Sequence, residues 1–92
     1  MHGLAVQVTV HDHDAATARL RDEVVPRLSQ APGFVTGYWL RIGDDKGLKG
    51  LAVIVFESED AAQGAVEMIR AAPRAGEVTL DSVDVGEVVA HA

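Results

Sequence analysis

The sequence predicts an α+β domain with the element order βαββαβ, on three observations. A run near the N-terminus alternates strictly between two kinds of residue, as a strand does. Two β-rich runs in the middle are separated only by a loop of Gly, Asp and Lys. The segments that follow the first and third of these strands carry apolar residues at helical spacing.

In the first strand, Leu4, Val6, Val8 and Val10 point to one side and Ala5, Gln7 and Thr9 to the other. His11, Asp12, His13 and Asp14 form a polar break suited to the start of a helix. An Asp there accepts backbone N–H bonds that lack a partner within the helix, and its charge favours the positive helix end. From Ala15, the positions Leu20, Val24 and Leu28 mark one helix face. Pro26 cannot donate to the carbonyl of Asp22, and its ring crowds that carbonyl. A kink is expected there, or a helix that ends near Val24 and a short turn restarting at Pro26. Pro32-Gly33 closes the segment, Gly33 being able to take positive φ.

Phe34 to Ile42 and Leu48 to Phe56 read as antiparallel neighbours joined by a hairpin loop, Gly43-Asp44-Asp45-Lys46-Gly47. Ser58 caps a second helix, in which Ala62, Ala65, Val66, Ile69 and Ala72 form one buried stripe. Arg70 and Arg74 sit at its negative end and Pro73 stops it. Gly76 turns the chain into a last strand, about Glu77 to Val89, with Gly86 expected at a bulge or bend.

Size and charge narrow the function classes. A chain of 92 residues has room for one core, so residues 1–92 are read as a single domain. The 14 acidic against 8 basic residues, the latter scattered, disfavour a nucleic-acid partner. The absence of cysteine excludes disulfides, thiolate metal sites and Cys nucleophiles. No apolar run approaches the length of a membrane span and no leader pattern is evident, so a cytoplasmic protein without a membrane partner is expected.

The sheet requires a cover that its own helices cannot supply. Right-handed crossovers put both helices on one face of a four-stranded antiparallel sheet. If Phe34 packs back on the first helix, then Phe34, Thr36, Tyr38 and Leu40 face the helices with Val6, Val8, Val10, Leu51, Val53 and Val55. The opposite face then collects Ala5, Gln7, Thr9, Val35, Trp39, Arg41, Ala52, Ile54 and Phe56. A slip of one residue would exchange Trp39 with Tyr38 and still leave both faces apolar. Twofold self-association buries such a patch on both copies, so the expected state is a homodimer, its two sheets closing face to face around a largely apolar cavity.

Ala31-Pro32-Gly33-Phe34-Val35 after the first helix, and Val53-Ile54-Val55-Phe56 running into Glu57-Ser58-Glu59-Asp60-Ala61-Ala62, carry a resemblance that spans nearly the whole chain. In these runs and in its segment order, the sequence resembles the antibiotic-biosynthesis-monooxygenase-type domains of the dimeric α/β barrel superfamily. The resemblance implies a ferredoxin-like sheet, a dimer in which the last strand reaches to the partner, and a cavity between sheet and helices or between sheets. Members include cofactor-free oxygenases of polycyclic phenols, haem-degrading enzymes and handlers of quinols or small aldehydes, so the fold alone selects no reaction. Haem-degrading members use an Asn on the first strand, a Trp at the end of the third and a His on the second helix. Those positions here are Gln7, Phe56 and a helix without histidine, so haem degradation is not expected.

Gln7 is a polar residue in an apolar strand and either lines a wet cavity or bonds across the dimer or to a neighbouring strand. Trp39 and Arg41, two apart and so on one face, offer an aromatic platform beside a cation able to hold a phenolate or carboxylate; the alternative is a packed interface with Arg41 paired at its rim. His11 and His13 flank Asp12 at a spacing that a metal chelate can use, but no third ligand is evident and no metal site is expected; either histidine can serve as a base near neutral pH. The candidate catalytic residues are thus His11, His13, Gln7 and Trp39, and the candidate substrate contacts are Gln7, Thr9, Trp39, Arg41, Ile54 and Phe56. The function they suggest is cofactor-free monooxygenation of a small aromatic or conjugated ligand. Two alternatives stand beside it: a non-catalytic ligand-binding module using the same cavity, and a structural dimer whose inter-sheet space is filled.

Overall fold

Alternation from Leu4 to Val10 and the β-branched density of the middle strands produce one four-stranded sheet. The computed structural model describes residues 1–44, 47–73 and 76–92. Strand β1 is His2–Val10, β2 is Phe34–Asp44, β3 is Gly47–Phe56 and β4 is Val78–Glu87. All neighbours are antiparallel, in the order β2-β3-β1-β4. The first helix, α1, starts as an α-helix over His13–Arg19, passes through a π-helical stretch over Leu20–Val24 and returns to α geometry over Val25–Ser29. The second helix, α2, is Glu59–Ala71. This is the predicted βαββαβ order of a ferredoxin-like fold.

Both helices cover the same side of the sheet. Leu28 of α1 and Ala62, Ala65 and Val66 of α2 join Leu4, Val6, Ala52, Ile54 and Phe56 in a single buried cluster. Phe56, Leu4 and Ile54 are the largest fully buried side chains, each worth about 1.5–3 kcal/mol of burial. The caps fall where the sequence put them. Asp12 accepts from the Ala15 amide at 3.1 Å, and Ser58 accepts from the Ala61 amide at 3.1 Å.

The face assignment for β2 and β3 is corrected by a β-bulge. Phe34 does pack toward the helices, its ring edge-on to Phe56 at a centroid distance of 6.1 Å. Phe34 pairs with Phe56, however, and Thr36 pairs with Val55, so Val35 is an extra residue on β2. The alternation restarts one position out of phase. Tyr38 and Leu40 therefore turn away from the helices, and Trp39 and Arg41 turn toward them. On β3, Ala52, Ile54 and Phe56 lie under the helices, paired through β1 residues such as Val6 and Leu4, while Leu51, Val53 and Val55 face the other way.

Two local expectations are also refined. Pro26 disturbs α1 as its missing N–H requires, but the chain absorbs the defect upstream: the Val25 amide bonds back to the Leu20 carbonyl and the helix continues to Ser29. On β4 the irregularity falls at Asp81, between Leu80 opposite Val8 and Ser82 opposite Gln7, whereas Gly86 pairs regularly with Gly3. The centre of the predicted hairpin loop, residues 45 and 46, and the predicted helix-end cation Arg74 lie outside the described residues.

The face opposite the helices is apolar, as both registers required. Val35, Tyr38, Leu40, Ile42 and Val53 are exposed there, Tyr38 at 67%. Among the described residues, no helix is long and apolar enough to cross a membrane.

Candidate functional site

The cavity of the molecule lies between the sheet and its helices, within one copy of the chain, and has a volume of about 160 Å³. Its floor comes from the β1 residues Val6 and Val8 and their β3 neighbours, and its roof from both helices. The π-helical stretch contributes Leu20, Glu23 and Val24, and α2 contributes Met68 and Ile69. A second, open hollow of about 280 Å³ indents the opposite face beside Ala5, Val53 and Asp84. The hollow on the helix side is one of the two positions that the resemblance implied, the one between sheet and helices.

Trp39 and Arg41 reach this cavity because the bulge at Val35 sets them there. They stand two apart on β2, with Gly37 before them and Ala52 and Gly50 as their β3 partners. A methyl group at Gly50 would come within 2.6 Å of Val8 Cγ2, so only glycine leaves the floor opposite Arg41 this low. The Arg41 Nη2 donates to Thr17 Oγ1 at 3.4 Å, a long bond. Its Nη1 is buried without a hydrogen-bond partner among the described residues.

A second cation in the wall, Arg19, is neutralised, and a third, Arg27, is exposed. Arg19 Nε lies 3.4 Å from Glu23 on the next turn of α1 and 3.4 Å from Glu77, which is only 7% exposed. The Arg19 Nη2 also donates to the Pro73 carbonyl. The Glu77 carbonyl in turn accepts the amides of His11 at 2.9 Å and Asp12 at 3.2 Å. This pairing ties α1 to the segment before β4 and closes one end of the cavity. Arg19 and Glu77 were not singled out in the sequence. The Arg19–Glu23 spacing was a visible helical pair, but a contact between Arg19 and Glu77, far apart in the chain, leaves no local signal.

The structure brings Trp39, Arg41 and Ile54 together around the cavity. Phe56 is completely buried in the core behind it. Gln7 is exposed on the opposite face, between Leu51 and Ser82. Thr9 is on that face as well; its hydroxyl donates to Asp81 at 2.7 Å and accepts from Lys49 at 2.7 Å. His11 and His13 are exposed beside the start of α1 and outside the cavity wall. His11 Nε2 lies 2.7 Å from Thr79 Oγ1, and His13 Nδ1 lies 3.2 Å from Asp14. Among the described residues, no three His, Asp or Glu side chains form a group able to hold a metal ion. On the outer side of α1, the hydrogen bond from Arg21 holds the Asp22 carboxyl below the usual aspartate range, away from the cavity.

Neither a protein-family model nor a curated protein sequence matches the chain. Solved structures do. A point mutant of SnoaB, a cofactor-independent oxygenase from Streptomyces nogalater, matches with a TM-score of 0.70 at 19% identity, over 98% of this chain and 94% of SnoaB. A point mutant of MhuD with two manganese protoporphyrin IX groups per active site matches with a TM-score of 0.69 at 18% identity, over 100% of this chain and 98% of that one. A Bacillus cereus protein assigned to the antibiotic biosynthesis monooxygenases matches with a TM-score of 0.63 at 17% identity, over 100% of this chain and 95% of the other. At these identities the likeness is one of fold. The chain therefore has the ferredoxin-like fold of the antibiotic-biosynthesis-monooxygenase-type domains, in keeping with the resemblance its sequence carries.

Proposed function

We propose that the chain works as a homodimer in the cytoplasm and that each copy is a cofactor-free monooxygenase for a small aromatic or conjugated molecule held in its own cavity. One observation carries the reading: an apolar cavity into which the bulge at Val35 turns both an indole, Trp39, and a guanidinium, Arg41. Apolar walls with a few convergent polar groups are the usual form of a small-molecule site. The SnoaB match, to a cofactor-independent oxygenase, supports the reaction class.

In this reading Trp39 stacks on the conjugated system, and Arg41 holds the ligand's negative charge. A conjugated CH₂ group that loses a proton becomes electron-rich enough to pass an electron to dioxygen. Recombination places one oxygen atom on carbon as a carbonyl, and the second leaves as water: CH₂ and O₂ give C=O and H₂O. His11 and His13 stand away from the cavity, so the proton passes to a group in the wall. Among the described residues its carboxylates are Glu23 and Glu77, and Glu23 is the exposed one, at the rim. Gln7 and Thr9, on the uncovered sheet face, belong in the proposal to the dimer contact. That contact is supported by the five exposed apolar side chains from Val35 to Val53.

Oxygen-electrode measurements with single-ring compounds that carry an activated CH₂ group, and with anthrone as a three-ring comparison, test the reaction. One dioxygen consumed per carbonyl formed, lost in a Trp39→Ala variant, is the expected result. Ligand binding with no oxygen uptake would instead support the non-catalytic binding module, a reading favoured by the distance of both candidate histidine bases from the cavity.

A further inference from the structure

We infer that the cavity selects a single-ring aromatic molecule carrying one carboxylate, with the ring against Trp39 and the carboxylate on Arg41. The inference rests on the cavity being the ligand site, as in the proposed function, and goes further by fixing the size and charge of the occupant.

Size is set by volume. The cavity measures about 160 Å³. An apolar cavity of about 150 Å³ accommodates a molecule of benzene's size, whereas sites for drug-sized ligands run from about 300 Å³ upward. One ring with a short arm fits this space, and three fused rings or a porphyrin do not. The inner walls, on the sheet and beneath α1, are core residues. Ala52 and Ile54 below and Leu28 above are buried and close-packed, so they cannot retreat without disrupting the hydrophobic cluster.

Charge is set by Arg41. Of the other cations in the wall, Arg19 is engaged by Glu23, Glu77 and the Pro73 carbonyl, and Arg27 is exposed, its charge met by water. Arg41 has only the long bond from Nη2 to Thr17, and its buried Nη1 has no acceptor among the described residues. A buried guanidinium nitrogen without an acceptor is costly. A planar carboxylate offers two oxygens in the geometry of the guanidinium fork and is the group that best relieves this cost. Gly50 lies opposite Arg41, where a Cβ would strike Val8 Cγ2, and so keeps the floor clear at the place the carboxylate would occupy. Trp39 is two residues away on the same strand face, about 7 Å along β2, which suits a ring and an acid joined by a short arm.

The sequence contains a single tryptophan, Trp39, so its fluorescence reports occupancy of this cavity alone. Three probes decide the matter when titrated by calorimetry and fluorescence: 3-phenylpropionate, its neutral amide 3-phenylpropionamide, and anthracene-2-carboxylate. The expected result is that the phenylpropionate binds at least tenfold more tightly than both others and shifts Trp39 emission. Arg41→Met is expected to erase the preference for acid over amide, and Arg41→Lys to keep part of it. Melting curves by circular dichroism establish that each variant is folded, and the acid-to-amide ratio on the native protein decides the charge requirement without any variant. Equal binding of acid and amide, or equal binding of the three-ring acid, overturns this inference and leaves the cavity as a ligand site. Failure of all three to bind the folded native protein overturns both.

Discussion

The benzo ring of Trp39 lies over Gly37: a methyl group placed on Gly37 would come within 2.7 Å of Trp39 Cη2 and 2.9 Å of Cζ3. The two residues share a face of β2, and the missing side chain at Gly37 is what lets the indole lie along the sheet rather than stand away from it. Gly37→Ala is therefore expected to swing the ring into the cavity. The prediction is a shift in tryptophan emission, a loss of ligand affinity of tenfold or more, and a stability cost of about 1–3 kcal/mol from overpacking. Fluorescence and urea denaturation of the variant check all three.

Exchanging the two sequence-selected polar contacts separates the faces of the sheet. Gln7→Leu is expected to leave binding in the cavity unchanged, because Gln7 sits on the uncovered face, whereas Arg41→Met weakens binding of an anionic ligand. Parallel calorimetric titrations of the two variants with the same carboxylate read the contrast directly.

Tyr38 and Leu40 occupy the middle of the uncovered face. A Tyr38→Asp, Leu40→Asp double variant is expected to convert the proposed dimer into a 9.7 kDa monomer, since charge at the centre of an apolar contact is left without water or partner. Light scattering coupled to size exclusion, at micromolar concentration, measures the change. A native protein that already runs as a monomer would remove the dimer from the proposal.

Ser58 caps α2 through its bond to the Ala61 amide. Ser58→Ala is expected to cost about 1 kcal/mol, which for a domain of this size lowers the melting temperature by roughly 4–8 °C. Ser58→Asp, which restores the acceptor and adds a charge at the positive helix end, is expected to recover the loss. Thermal melts of the two variants side by side test the cap.

Much of this architecture could be read from spacing. The alternation from Leu4 to Val10, the stripe from Ala62 to Ala72 and the caps at Asp12 and Ser58 are all local patterns, and local patterns survive folding. What escaped was phase. A bulge at Val35 adds one residue to β2, and nothing in Phe34-Val35-Thr36 announces it, because each of those residues suits either side of a pleat. Once phase was lost, Trp39 and Arg41 were placed on the wrong face together with Ala52, Ile54 and Phe56. The pairing of Trp39 with Arg41 survived the error, since residues two apart share a face in either register. The Arg19–Glu77 contact was hidden for a different reason: it depends on how α1 lies against the segment before β4, which is a tertiary relation.

The order β2-β3-β1-β4 makes β4 a margin of the sheet, with unsatisfied main-chain groups along its outer side. That margin carries Asp84 and Glu87, beside Asp81, which is held by Thr9 and Lys49. Another copy offering its own β4 would meet matching negative charge at close range, and lateral growth into an extended ribbon or fibril is resisted. These acids thus act as a guard against runaway strand addition along β4.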